Sequence, residues 1–279
     1  MTRTHPFLAV SMSAALLLAT ASCGDDDADS AEPGGTEAAD GGIESLADLS
    51  GGRIGVQSGT TGEAYANDNL PDGAEVVSFD DTTGLFGALE SDEIDAILQD
   101  LPVNAGRVAE DDSTAVVETF ATDEEYGFAV AQGSDLKAEL DEALATVRDD
   151  GTYDALFEKY FPLDGDEPGP GPDEPEVQGS EVLNVCSDIP YPPMEMEGDG
   201  PRGLEYTGVD IERLDAMAAE LDQRLEILAV GFDGILGNLA SGTCDVVASS
   251  VTITDERREE VDFTDPYFDA DQSLLVKTS

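Results

Sequence analysis

The chain has 279 residues and 40% hydrophobic content, enough for a core in one or two domains. Its 63 Asp and Glu against 12 Lys and Arg give a formal net charge of −51, which argues against nucleic acid and anionic lipid surfaces as partners because both would be repelled. The acidity is spread along the chain and Lys137, Lys159 and Lys277 are the only lysines, so it reads as a solvated surface suited to high salt, where screening weakens self-repulsion.

Residues 1–23 read as an export signal: Arg3 and His5 in a short leading region, an apolar run from Phe7 to Ala19 too short to span a bilayer as a mature helix, then Thr20-Ala21-Ser22-Cys23. Small residues before Cys23 resemble a lipoprotein box, with Cys23 as the acylated residue; cleavage near Ala21 is the other reading. Thr20 stands where leucine is commonest. Residues 24–42 are rich in Asp, Gly and Ala without an apolar period and read as a disordered tether. Loss of the signal removes His5, the only histidine. That sets aside a Ser-His-Asp or Cys-His nucleophile and any histidine-ligated metal, and no cofactor is expected. Cys186 and Cys244 remain; export allows them to form a disulfide, and two buried free thiols are the alternative.

Ile43 to Leu49 reads as a short helical lead-in, and Gly52–Val56 as a strand. Gln57-Ser58-Gly59-Thr60-Thr61-Gly62 follows as a glycine- and hydroxyl-rich turn opening a helix at Glu63. Val76–Phe79 is a second strand, Thr82–Ser91 a helix with Leu85, Ala88 and Leu89 on one face, and Ile94–Leu98 a third strand ending in Gln99-Asp100. Ligands of open α/β sheets bind at strand carboxyl ends, where Asp100 would stand; a helix N-cap before Leu101-Pro102 is its other reading. Tyr126–Ala131 is a strand, Asp135–Val147 an amphipathic helix, and Gly151–Phe161 a helix with an aromatic, core-facing side. The Pro/Gly stretch from Asp164 to Glu181 excludes helix and central strand and reads as a linker.

Val182–Cys186 is a strand leading into Ser187-Asp188-Ile189-Pro190-Tyr191-Pro192-Pro193, followed by a helix over Gly208–Leu221 and a strand over Leu225–Val230. After Gly231-Phe232-Asp233-Gly234 comes a helix through Leu239, and Ser241–Asp245 turns into the buried strand Val246-Val247-Ala248. The next segment, Ser249 to Arg258, reads as a hydroxyl-lined loop and a helix start with Thr254 as N-cap. Helix starts bind anions, yet Arg257 and Arg258 sit where the dipole disfavours cations. A guanidinium fork aimed at a carboxylate is one explanation and a surface pair balancing Glu259 and Glu260 the other. Asp262–Phe268 reads as a loop and Gln272–Lys277 as the last strand. Ser-Gly-Thr-Cys-Asp-Val-Val at 241–247 loosely echoes Ser-Asp-Glu-Ile-Asp-Ala-Ile at 91–97, as expected of two similar lobes.

Asp188–Pro193, Val251–Arg257 and Val261–Tyr267 resemble the first lobe of the type II periplasmic solute-binding proteins, specifically the polar amino acid-binding family of ABC importers; Gly55–Gly62 and Asp150–Tyr153 resemble its later portion. The resemblance covers nearly all of 43–163 and 182–278. It implies an α/β fold of two Rossmann-like lobes joined by two hinge strands. The segments stand in exchanged order, so the chain looks circularly permuted, the linker 164–181 joining the family's usual ends. Lobe B would be 43–130 completed by 271–279, lobe A 134–270, with hinges near Ala129–Gly133 and Phe268–Asp271. A rearranged tandem fragment whose halves pair between chains is the alternative.

Carried over residue by residue, the family site puts Arg257, Thr252 and the Ser250 backbone on a ligand α-carboxylate with help from Thr61, and Asp100 on the ammonium. Tyr191 and Phe232 would sandwich the side chain, Asp188 would accept a hydrogen bond from it, and Ser249, Gln57 and Gln99 would line the remainder. The resemblance implies a monomeric, extracytoplasmic substrate-binding lipoprotein, lipid-anchored at the outer face of the cell membrane. It would bind a polar or basic amino acid between the lobes and deliver it to an ABC permease, with no catalysis. A cleft enzyme of the same fold, since some relatives are dehydratases, and a surface amino acid sensor are the alternatives.

Overall fold

Short Val-, Ile- and Leu-rich runs between glycine and polar turns become strands because they can be buried on both faces once helices cover them. In the computed structural model, which describes residues 42–162, 167–174 and 176–278, they build two five-stranded sheets. The export signal, Cys23 and the tether up to residue 41 lie outside the described residues. Among the described residues no helix is long and apolar enough to cross a membrane.

A 3₁₀ turn at Leu46–Leu49 leads into β1 (Arg53–Gln57), α1 (Thr61–Asp68), β2 (Glu75–Phe79), α2 (Thr82–Glu90), β3 (Ala96–Asp100), α3 (Leu101–Glu110) and β4 (Thr114–Tyr126). Then come β5 (Ala129–Ala131), α4 (Leu136–Asp149), α5 (Thr152–Tyr160), β6 (Glu181–Ser187) and a small hairpin of β7 (Met196–Glu197) and β8 (Tyr206–Thr207). The chain closes with α6 (Val209–Glu220), β9 (Gln223–Ala229), α7 (Gly237–Ser241), β10 (Val246–Val247), β11 (Val261–Phe263) and β12 (Phe268–Lys277).

The first sheet has the order β2-β1-β3-β12-β4, with β1, β2 and β3 parallel and β12 antiparallel to both its neighbours. The second is β11-β5-β10-β6-β9, with β6, β9 and β10 parallel. Alternation along the strands feeds a core on each face. In the first sheet Ile54, Val56, Leu98, Leu274 and Val276 pack on one side with Leu46 and Leu49, and Leu85, Leu89, Ile97 and Leu275 on the other. In the second, Val130, Val185, Leu144 and Met217 form one core, and Val247, Ile235, Leu239 and the Cys186–Cys244 disulfide the other.

Three sequence expectations change here. The long strand β4 was not legible beforehand; its first half carries Val116, Val117 and Phe120, and its acidic second half obscures the pattern. The chain passes between the sheets at Gly127–Phe128 and Thr264–Tyr267, because Ala129–Ala131 pairs within the second sheet and Phe268–Ala270 with β4 in the first; the hinge positions expected at 129–133 and 268–271 move by a few residues. The described linker residues also lie against the body. The Gly169 N–H donates to Glu158 O (3.2 Å), Gln178 and Gly179 N–H both donate to Asp222 Oδ1 (2.8 Å each), and Arg224 donates to Val177 O (3.1 Å).

Candidate ligand-binding cleft

Parallel strands end on polar residues because the chain must leave the sheet there, and four such ends converge. β1 brings Gln57, β3 brings Asp100, β6 leads to Asp188, and β10 leads to Ser249 and Ser250. With Thr60, Thr61, Tyr191, Phe232, Thr252 and Arg257 they line one enclosed cleft of about 290 Å³. Every expected site residue except Gln99 is in this lining. Gln99 turns away: its Nε2 donates to Asn104 Oδ1 (2.9 Å) inside the first sheet's core, because a strand alternates its side chains and Asp100 takes the cleft-facing position.

The two sides already touch. Gln57 Nε2 donates to Asp188 (2.5 Å), Thr82 donates to Pro190 O, and Arg257 donates to Gly59 O (3.1 Å). The cleft is therefore drawn in its closed arrangement.

Arg257 sits in a single 3₁₀ turn, Arg257–Glu259, whose first N–H is capped by Thr254 Oγ1 (3.1 Å). The expected α-helix does not form, and three residues are too few to sum a macrodipole, so no dipole argument applies. The guanidinium is instead fixed by Thr252 O (2.8 Å) and Gly59 O, with the Phe232 ring centroid 5.5 Å from its central carbon. Burial lowers its pKa while Asp100 and Glu124 pull the other way; a guanidinium stays charged regardless.

Asp100 occupies the N-cap position of α3 but makes no capping bond. It accepts from Tyr126 OH, from Gln272 Nε2 (2.5 Å) and from Tyr191. Burial first, then the neighbouring Glu124, raises its pKa to about 6 against these donors. Asp188 is likewise raised to about 6 by burial, with Gln57 opposing and Asp81 adding to the rise. Its backbone N–H donates to Ser249 Oγ (2.9 Å), which fixes both residues.

Ser250 adopts φ 48°, a strained conformation for a residue with a side chain. Its N–H donates to Asp210 Oδ2 (2.8 Å) and its hydroxyl to Glu195 Oε1 (3.1 Å). Both carboxyl groups are fully buried, and burial followed by Asp210 pushes Glu195 well up. The Ser250 N–H is thus committed inside the protein, which corrects the expectation that it meets a ligand carboxylate.

Sequence reasoning missed Glu124, Tyr126 and Gln272. Glu124 Oε2 accepts from Thr61 Oγ1 (2.6 Å) and Thr252 Oγ1 (2.8 Å), and its Oε1 accepts from Gln272 Nε2 (3.0 Å). Among 63 acidic residues Glu124 carries no sequence signal of its own. Among the described residues no cluster of His, Cys, Asp and Glu could hold a metal ion.

Two α/β sheets facing each other across a polar, enclosed cleft define a two-lobed binding protein of type II fold. The sequence profile described as "Bacterial extracellular solute-binding proteins, family 3" matches residues 67–163 and 183–279. The chain belongs to that family. It is 34% identical over 102 residues to a probable histidine-binding protein of Neisseria gonorrhoeae, covering 37% of each chain. It is 33% identical over 125 residues to ABC transporter arginine-binding protein 1 of Escherichia coli, covering 43% of this chain and 51% of that one. An ancestral arginine-binding protein bound to arginine has 38% identity and a TM-score of 0.29, over 33% of this chain and 39% of that one. The chain spans about a quarter to a half of the length of such curated relatives.

Proposed function

We propose that the cleft binds a polar or basic amino acid and that the protein is the exported, lipid-anchored binding component of an ABC importer, handing its ligand to a membrane permease. The observation that carries the reading is that Arg257 and Asp100 line one enclosed space. A zwitterion has its two charges a few ångströms apart, and a cation and an anion on opposite walls meet both at once. A volume of about 290 Å³ suits a small ligand. Tyr191 and Phe232 supply the apolar walls, and Asp188 an acceptor for a side-chain donor. Relatives described as histidine- and arginine-binding support the ligand class. The test is a thermal-shift screen of protein unfolded and refolded to strip carried ligand, against the twenty amino acids: one or a few should raise the melting temperature by several degrees, and a uniformly flat screen would contradict the reading.

The domains follow the proposed lobes 43–130 with 271–279, and 134–270, in circularly permuted order. Support comes from the two-segment family match and from where the ends lie. Leu46 and Leu49 share a core with Leu274 and Val276, and Leu46 N–H donates to Glu118 (2.7 Å) on β4, beside β12. The last strand could therefore run into the 3₁₀ turn at Leu46 through a short connection.

A cleft enzyme of the same fold is the second reading, favoured by the pKa of about 6 at both Asp100 and Asp188. Three donors saturate Asp100, a setting that suits holding a cation more than shuttling a proton. Ligand recovered chemically unchanged after long incubation supports binding alone; a new product would establish the enzyme.

A further inference from the structure

Glu124 stands at a junction that the amino acid contacts do not require. It lies on β4 just before the chain crosses to the second sheet, outside the cleft lining and behind it. Thr61 opens α1 on the first sheet's side; Thr252 follows β10 on the second. Their hydroxyls lie 3.4 Å apart across the cleft, and both donate to the same oxygen of Glu124. Gln272, on β12 between the sheets' crossings, donates to the other oxygen and to Asp100, tying the two carboxylates together.

We propose that Glu124 is a positioning residue that latches the cleft: it holds one hydroxyl from each side on a single carboxylate oxygen and so fixes both the closed geometry and the polarity of those hydroxyls. A threonine hydroxyl has one proton and two lone pairs. With both protons given to Glu124, Thr61 and Thr252 present lone pairs to the cleft. A ligand carboxylate is then held by Arg257 and by backbone N–H groups, and the two hydroxyls act as acceptors for the ligand's ammonium end. The second half of this inference rests on the binding function proposed above; the latch itself does not.

The test uses the full mature chain. Small-angle scattering of ligand-stripped Glu124→Ala should show a larger radius of gyration than wild type, returning to the wild-type value when the best-binding amino acid is added. Stopped-flow binding should show faster association and dissociation, with dissociation accelerated more, by about tenfold. Loss of structural support alone would not speed association. Unchanged scattering together with unchanged rates would overturn the latch. If wild-type protein binds no amino acid, the proposed function fails while the scattering still decides the latch. Should Glu124→Ala not fold, Glu124→Gln, Thr252→Val and their double variant replace it: strongly non-additive effects on ligand-free scattering support the shared bond, and additive effects contradict it.

Discussion

Arg257 was the residue the sequence made conspicuous, and the structure changes the reason for its importance. It is not a cation set against a helix dipole, since no α-helix begins there. Two backbone carbonyls, one from each side of the cleft, hold its guanidinium in place. Facing it are carboxylates whose protonation is set by burial. Asp100 and Asp188 both have pKa values of about 6, above the unfolded value of about 3.9. The native state therefore holds these protons more tightly than the unfolded chain, and the two groups lower stability as pH rises from about 4 to about 6, the penalty staying constant above that. A cationic ligand group favours the ionised forms. Affinity is expected to increase as pH rises through about 6 and to level off above about 7, with proton release on binding at the acidic end. Calorimetry in buffers of different ionisation heat measures this; a flat profile from about pH 5 to 8 would remove both carboxylates from contact with the ligand.

At the scale of elements, the loops that carry the site are held by strand ends and by one tightly fitted glycine. Gly208 precedes α6 with φ 119°, and a Cβ there would lie 2.2 Å from Met194 O. The first N–H groups of α6 donate back to Pro193 and Met194, which fixes the loop bearing Tyr191. Gly208→Ala is expected to destabilise the protein by about 2 kcal/mol or more, through a forbidden backbone conformation and a main-chain clash. Urea unfolding measures it, and a loss below about 0.5 kcal/mol would mean the loop can move aside. Most elements were legible because their apolar periods were clean, as in α2, α4 and β6. β4, β11 and the β7–β8 hairpin were not: β11 is three residues long, and the second half of β4 is Asp-Glu rich. The pocket's walls were legible through motifs at strand ends. Its supports were not, because Glu124 and Gln272 are brought together by a pairing of strands far apart in sequence.

For the whole molecule, a formal charge of −51 means that folding gathers repelling carboxylates onto one surface. Stability should therefore rise as salt is added from low ionic strength, read as an upward shift of the urea midpoint; a midpoint that falls or stays fixed would contradict the high-salt reading of the composition. Chain order gives a second test at this scale. A rearranged gene that joins Thr278 to Ile43 through a short connection and opens the chain within 164–181 is expected to fold to a monomer and bind the same ligand within about threefold of the native order. Failure of the rearranged chain to fold, with the native order folding well, would count against permutation.

Everything functional depends on an amino acid being held between Arg257 and Asp100. The most direct measurement is calorimetric titration of ligand-stripped wild type and Arg257→Ala with the amino acid that most raises the melting temperature. The expected result is one-to-one binding by wild type and a loss of at least about 100-fold in Arg257→Ala, in keeping with removal of one partner of a buried charge contact, while the variant's ligand-free unfolding midpoint stays close to wild type. Equal affinity in the two proteins would show that the guanidinium does not hold the ligand.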